Sequence, residues 1–291
     1  MIQIGIVDIG SNTVVLNVYK VEEDSFKIVY HKSTPVHLIQ YIHDGQLDKD
    51  GFDFCLSTLR KYSEKLNEMD VKESVAFVTE PWRALHNPND FLDAINQLFP
   101  IKALSGEEEA MYDYLGSLTD VMDIKDGSAF DIGGGSTELI TFKNQEIIEA
   151  VSIPYGCVRL KEMPVEQALT NQIIQETLRD YPRLNSIPNP TMVGIGGTCR
   201  ALGLVCDALY HTGDLMPVER IETIYQNLLS QEEKTIAVMK EVVNPARQEV
   251  FLPGVNMLVS ILRNFQIKNV RISKGCVREG ILLEVMKDLE N

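Results

Sequence analysis

The segment Asp131-Ile132-Gly133-Gly134-Gly135-Ser136-Thr137-Glu138 carries the densest structural signal of this 291-residue chain. β-rich runs at residues 128–131 and 136–142 flank the glycines, and this pattern predicts two strands joined by a tight turn. Glycines let the main chain approach a ligand closely, and successive N–H groups that point into one concavity bind phosphate. We therefore predict a phosphate-binding hairpin. Its contacts would come from Gly133, Gly134, Gly135, Ser136 and Thr137.

The segment Asp8-Ile9-Gly10-Ser11-Asn12-Thr13 repeats the same pattern between predicted strands at residues 2–8 and 14–21. The two aspartates are 131 − 8 = 123 residues apart, which is close to one domain length and indicates an internal duplication. One such segment alone is as well explained by an ordinary tight hairpin. The matched pair favours phosphate binding. This adds Ser11, Asn12 and Thr13 as contacts, and a weaker third copy adds Gly196 and Gly197.

Acidic residues accompany both turns. Asp8 and Asp131 each end a predicted strand, where a carboxylate beside a phosphate can hold Mg²⁺ or Mn²⁺ directly or through water. Side chains alternate along a strand, so Ser136 and Glu138 point to the same face. Glu138 is therefore a third predicted metal ligand. The alternative interpretation is a strand glutamate that faces solvent.

A capping box is predicted at Ser105, with Glu108 three residues later, and it opens a helix that ends near residue 118. Glutamates in a first helical turn normally stabilise the helix dipole. Glu109 has no capping role and lies one turn inside the helix. A carboxylate near a metal-bound phosphate can orient or deprotonate a water molecule, so Glu109 is the predicted general base.

Arg83 follows a predicted strand at residues 74–79 and is the candidate phosphate clamp. The alternative is a surface ion pair, since the chain contains 42 acidic residues. Arg159, Arg200 and Arg278 lie near glycine turns, and the same two interpretations apply to each of them.

The charge of the chain narrows the classes of partner. A net charge of −15 predicts no broad surface for nucleic acid and repulsion from anionic membranes. A polyanion would have to be bound locally, through main-chain amides, a few arginines and a divalent cation. The five cysteines are scattered without a CxxC pair, which favours reduced thiols. The first residues contain no basic segment ahead of an apolar one, so we expect a cytoplasmic protein.

Seven segments of this sequence resemble motifs of the exopolyphosphatase / guanosine pentaphosphate phosphohydrolase (Ppx/GppA) phosphatase family, which belongs to the superfamily of actin, sugar kinases and heat-shock ATPases. The resemblance extends through almost the whole chain. The segments are 8–13, Arg83 with Asn87 and Phe91, 105–110, 131–139, 155–160, 194–198 and 278–282.

The resemblance implies an α/β fold of two ribonuclease H-like (actin-like ATPase) domains, each a mixed five-stranded sheet with flanking helices, and a cleft between them. Domain I would comprise residues 1–120, with the C-terminal helix 276–291 packed back on it. Domain II would comprise residues 121–275.

The resemblance further implies a Mg²⁺-dependent phosphohydrolase that releases the terminal phosphate of polyphosphate, guanosine pentaphosphate (pppGpp) or both. Glu109 would be the catalytic glutamate and Arg83 a phosphate-facing arginine. Two other functions stay open: a catalytically weak regulator that binds these compounds or guanosine tetraphosphate, and a small-molecule kinase of the same superfamily. A homodimer is also open, because the apolar stretch at residues 257–262 is either an interface or core.

Two segments depart from the family pattern. Thr79-Glu80-Pro81-Trp82 occupies a place where the family usually has small residues, and its bulk and charge are expected to reshape the phosphate path. His37-Leu38-Ile39-Gln40 replaces a stretch similar to Arg-Leu-Gly-Glu, which removes one basic contact.

Overall fold

The computed structural model describes residues 2–22 and 25–290, with only the backbone of Glu290. Contacts divide the chain into two compact units. The first unit contains the residues up to 108 together with those from 284 onward, and the second contains residues 109–283. The family resemblance implied boundaries after residues 120 and 275.

The first unit contains a five-stranded sheet in the order β3-β2-β1-β6-β7. Strands β1, β2 and β3 pair antiparallel, whereas β1, β6 and β7 run parallel. Strands β4 and β5 form a separate two-stranded sheet. The elements are β1 (Ile2–Ile9), β2 (Thr13–Glu22), β3 (Ser25–Pro35), β4 (Ile42–His43), β5 (Gln46–Leu47), α1 (Lys49–Glu68), β6 (Glu73–Val78), α2 (Glu80–Arg83), α3 (Asn89–Asn96) and β7 (Ile101–Ala103).

The second unit contains a six-stranded sheet in the order β10-β9-β8-β11-β13-β12. Helix α4 starts at the end of the first unit, and helix α11 starts in the second unit and ends in the first. The elements are α4 (Gly106–Ser117), β8 (Gly127–Ile132), β9 (Thr137–Lys143), β10 (Glu146–Ile153), α5 (Cys157–Lys161), α6 (Gln167–Asp180), β11 (Thr191–Ile195), α7 (Gly196–Tyr210), β12 (Leu215–Pro217), α8 (Val218–Leu229), α9 (Glu233–Val242), α10 (Pro245–Asn264), β13 (Asn269–Ile272) and α11 (Val277–Glu290).

The two sheets share one topology, in which three antiparallel strands are followed by two parallel ones. The prediction of five strands per sheet is correct for the first unit and wrong for the second, where β12 adds an antiparallel edge strand to β13. The reason is local. Strand β12 has only three residues, of which Met216 alone is buried, so it leaves no alternating pattern to read.

The core of each unit lies between its sheet and its helices. In the first unit, α1 buries Leu59, Tyr62 and Leu66 within the same cluster as strands β1 and β2. In the second unit, the stretch at residues 257–262 is buried on every side of α10, so it is core. No helix in the described ranges is both long and apolar enough to cross a bilayer.

Candidate active site

The glycine hairpin of the second unit is a tight turn held from behind by helix α5. The Gly133 amide donates to the Ser136 carbonyl over 2.9 Å, which closes the turn. The first two amides of α5, Cys157 and Val158, donate to the carbonyls of Gly133 and Gly134, each over 2.9 Å. The carbonyl side of the turn is therefore bound to protein.

The hairpin of the first unit has the same construction. The Gly10 amide donates to the Thr13 carbonyl over 3.0 Å, and the Asn12 carbonyl accepts from the amide of His37 over 3.0 Å. In both hairpins the aspartate is paired across the sheet with the residue seven positions later, Val15 for Asp8 and Glu138 for Asp131. The repeat read from the sequence is thus a structural repeat as well.

Side chains around the second hairpin fix its position. Thr137 donates its hydroxyl to the Tyr155 carbonyl over 2.7 Å, and Thr198 donates to the Ile132 carbonyl over 2.6 Å. A Cβ atom at Gly156 would lie 2.4 Å from the Gly134 carbonyl group, so only glycine permits this approach. The Thr137 hydroxyl, a predicted phosphate contact, is therefore bonded within the protein in this structure.

Asp131 and Glu138 face one another at the base of the hairpin. They are cross-strand neighbours on β8 and β9, and Glu138 is 1% exposed. The solvent-facing interpretation of Glu138 is therefore wrong. Ser152 donates to its Oε1 over 2.6 Å. On the other side Gly196, at φ +75°, packs so closely that a Cβ atom there would lie 1.9 Å from Oδ1 of Asp131.

Helix α4 brings Glu109 toward this pair. Its predicted capping box is confirmed, since the Ser105 amide donates to Glu108 Oε2 over 2.8 Å and the Glu108 amide donates to Ser105 Oγ over 3.2 Å. Glu109 is partly buried, unlike the exposed Glu107 and Glu108. Its charge acts on the carboxyl groups of Glu138 and Asp113.

Asp113 is a fourth acidic residue of this cluster, and the sequence analysis missed it. It lies one helical turn after Glu109 and is 1% exposed. Its Oδ1 accepts from the Val277 amide over 3.0 Å, whereas its buried Oδ2 has no hydrogen-bond partner in the described part of the chain. The available signal was the placement of an aspartate between two tyrosines, one turn after the predicted base.

Two of the four carboxyl groups, Asp113 and Glu138, have a raised pKa. Burial raises the pKa of Asp113 well above its usual range, and the charges of Asp131, Glu138 and Glu109 add to the effect. Burial likewise raises the pKa of Glu138, with contributions from Glu109 and Asp131, while hydrogen bonds from Ser152 and Ser136 oppose the rise. The cluster therefore favours any proton or cation that reduces its negative charge.

Comparison with known proteins identifies the family of this chain. A model of the Ppx/GppA phosphatase family matches residues 17–289. The chain belongs to this family. It is 23% identical to a putative exopolyphosphatase of Haemophilus influenzae, over 99% of this chain and 93% of that protein. It is 25% identical to a guanosine-5'-triphosphate,3'-diphosphate pyrophosphatase of Vibrio cholerae, over 97% of this chain but only 59% of that protein.

Solved structures confirm the predicted fold class. An exopolyphosphatase from Cytophaga hutchinsonii matches with a TM-score of 0.86 and 22% identity, over 98% of both chains. The Ppx/GppA family member of Aquifex aeolicus matches with a TM-score of 0.82 and 22% identity, over 99% of this chain and 98% of that one.

The donor atoms of this Ppx/GppA chain suit a small divalent cation. Asp131 and Glu138 supply carboxylate oxygens, and Mg²⁺ is commonly bound by one or two carboxylates together with phosphate oxygens and water. Within residues 2–22 and 25–290, no group of three or more His, Cys, Asp or Glu side chains is placed so that it could hold a metal ion. Asp8 occupies the position in the first hairpin that Asp131 occupies in the second.

Arg247 lies at the third repeat and was also missed by the sequence analysis. Its guanidinium lies over Gly197, where a Cβ atom would be 2.2 Å from it. Burial lowers the pKa of Arg247, the charges of Arg200 and Arg278 lower it further, and Asp131 opposes this. A signal was present, because a cation in the first turn of α10 is unfavourable for the helix dipole.

The first unit positions Arg83 and Ser11. Helix α2 is anchored because Trp82 Nε1 and Arg83 Nη1 both donate to the Leu104 carbonyl, over 2.9 and 3.1 Å. The Ser11 hydroxyl donates to Glu80 Oε2 over 2.8 Å. The predicted contact Ser11 is therefore bonded to an acidic residue of the segment that departs from the family pattern.

The raised pKa values predict how stability depends on pH. An acid whose folded-state pKa exceeds the unfolded value lowers the free energy of unfolding as pH rises through that interval. In chelator, Asp113→Asn should therefore gain stability relative to wild type as pH rises from 5.5 to 8. We expect a difference in melting temperature of several degrees, since one kcal/mol shifts it by about 2–4 °C in a chain of this size.

Thermal melts at several pH values measure this difference. Asp123→Asn removes an exposed carboxylate from the same unit and should follow wild type at every pH. If the melting temperature of Asp113→Asn also follows that of wild type at every pH, Asp113 does not carry the charge assigned to it.

Proposed function

We propose that this chain is a divalent-metal-dependent phosphohydrolase that releases the terminal phosphate of polyphosphate or guanosine pentaphosphate. One observation carries the proposal: Asp131 and Glu138 are paired at the base of a glycine hairpin, the charge of Glu109 acts on Glu138, and the charges of Asp131 and Glu138 act on the buried Asp113. The similarity to the Haemophilus exopolyphosphatase and to the Vibrio pyrophosphatase supports the same class of substrate.

Asp131 and Glu138 would hold Mg²⁺ or Mn²⁺, with Asp8 as a further predicted ligand. The bound cation would neutralise phosphate charge. The hydrogen bond from Ser152 fixes Glu138, and the close packing of Gly196 fixes Asp131, before substrate arrives. Pre-set positions avoid reorganisation during the reaction.

Glu109 would accept the proton of the attacking water. The water oxygen bonds to the terminal phosphorus, the bridging P–O bond breaks, and the shortened chain leaves with its bridging oxygen. Glu109 is suited to this role because it is partly buried at the edge of an acidic cluster that attracts positive charge. General base catalysis of this kind contributes about 10²–10⁴-fold.

Main-chain amides and arginines would stabilise the transferred phosphoryl group. The amides of residues 133–136 and 11–13 belong to turns whose carbonyls are bound from behind. Arg83 is held by the Leu104 carbonyl, and Arg247 lies over Gly197 at the start of α7. Guanidinium groups suit this task because they bind phosphate through two parallel hydrogen bonds.

The direct test is phosphate release by purified protein from pppGpp, short polyphosphate and long polyphosphate, with Mg²⁺, with Mn²⁺ and in chelator. We expect release from at least one substrate and none in chelator. Tight binding measured by calorimetry without any release would instead support a regulator. ATP consumption that requires an acceptor would support a kinase.

A further inference from the structure

Glu80 is a buried carboxylate at the first hairpin. It is 5% exposed, and Ser11, whose hydroxyl donates to it over 2.8 Å, is 6% exposed. Strands β1 and β6 run parallel and end at the same edge of their sheet, which brings the residues after Ile9 and after Val78 together. The Thr79 amide also donates to the Ile9 carbonyl over 3.4 Å.

The backbone around Glu80 is anchored. Pro81 fixes the start of α2, and the side chains of Trp82 and Arg83 both donate to the Leu104 carbonyl. On the opposite side, the Ile39 amide donates to the Ser11 carbonyl over 3.1 Å. Neither partner of the Ser11–Glu80 hydrogen bond is on a free loop, so the pair is a fixed feature of the unit.

A serine hydroxyl has a single proton to donate. While that proton is directed at Glu80, it is not available to a phosphate oxygen, and the carboxylate adds negative charge at the turn. Asn12 differs, because its Oδ1 is hydrogen-bonded to His37 Nδ1, which leaves the amide nitrogen as the donor end. The first hairpin can thus offer Asn12 and its main-chain amides to an anion, but not the Ser11 hydroxyl.

We infer that Glu80 sets the affinity of the first hairpin for phosphoanhydride anions by holding the proton of Ser11. The inference rests on the proposed function, since it assumes that this hairpin binds substrate phosphate. Glu80 is then a specificity-determining residue that weakens anion binding. Glu80 thereby lowers the affinity for polyanions of a turn whose main-chain amides can bind them.

The test is binding of tripolyphosphate in chelator, measured by calorimetry, where no turnover is needed. Glu80→Ala removes both the charge and the acceptor for Ser11, and we expect binding about tenfold tighter than wild type, the size of one hydrogen bond to a charged group. Glu80→Gln removes the charge but keeps an acceptor for Ser11, so it should tighten binding less than Glu80→Ala does. Ser11→Ala should change binding less than about twofold in wild type. In the Glu80→Ala background the same change should weaken binding about tenfold, because the freed hydroxyl then donates to phosphate.

Glu64→Gln is the matched control, because Glu64 is an exposed glutamate on α1 of the same unit and the change in net charge is identical. Its binding should equal that of wild type. The inference is overturned if Glu80→Ala binds no tighter than Glu64→Gln, if Ser11→Ala has equal effects in both backgrounds, or if neither wild type nor Glu80→Ala binds tripolyphosphate. If Glu80→Ala fails to fold, Glu80→Met replaces it in each comparison, because methionine has nearly the same length and its sulfur is only a weak acceptor.

This outcome is separable from that of the proposed function. A wild-type protein that releases no phosphate from any substrate would end the hydrolase proposal, yet the binding measurements would still report on Glu80. Conversely, active protein with unchanged Glu80→Ala binding would end the inference alone.

Discussion

Glu109→Gln should lower kcat by about 10²–10⁴-fold while KM for the preferred substrate stays within about twofold of wild type. The substitution preserves the size of the side chain and removes only its ability to accept the proton of water. Under the proposed function, the hairpin amides and arginines bind the substrate, and the change leaves them in place. Phosphate release under saturating and subsaturating substrate measures the two parameters separately.

Glu107→Gln is the control for this experiment. Glu107 lies in the same first turn of α4, is exposed, and the change removes the same charge from the helix terminus. It should leave kcat unchanged. If Glu109→Gln retains the wild-type kcat, or if it loses activity only through a higher KM, Glu109 is not the general base.

The local features of this fold could be read from the sequence because neighbouring residues create them. A glycine turn between two β-rich runs needs no distant partner, and the structure has both hairpins at residues 8–13 and 131–137. The capping box at Ser105 is equally local and is present. The predicted strand at residues 74–79 likewise corresponds to β6.

The features that sequence reasoning missed depend on pairing across the fold. Asp113 joins the acidic cluster only because α4 packs with its face toward the β8–β9 hairpin. Arg247 and Gly197 are 50 residues apart in the sequence, and they meet only because α10 and α7 lie side by side. The bond between Ser11 and Glu80 depends on the parallel pairing of β1 with β6. Residue types alone do not specify any of these partners.

A substitution at Gly196, in the third repeat, tests whether the position of the Asp131 carboxylate affects the rate of phosphate release. Gly196 has a φ of +75°, and a Cβ atom there would lie 1.9 Å from Oδ1 of Asp131. Two effects should follow from Gly196→Ala. The left-handed backbone costs about 1–2 kcal/mol with a side chain, and the carboxylate must move. Displacement of a catalytic group by about 1 Å can cost about 10²-fold in rate, so we expect kcat/KM to fall by about that factor.

Gly213→Ala separates these two effects. Gly213 also has a positive φ, +59°, but nothing lies within 4 Å of the position of its Cβ atom. Both variants should therefore lose about 1–2 kcal/mol of stability from the backbone, whereas only Gly196→Ala should lose activity and the thermal stabilisation given by Mn²⁺ or Mg²⁺. Melting temperatures with and without cation, together with phosphate release, measure both. The two variants share the backbone strain, but only Gly196→Ala has the contact with Asp131. Equal activity in both would therefore show that the position of the Asp131 carboxylate does not limit the reaction.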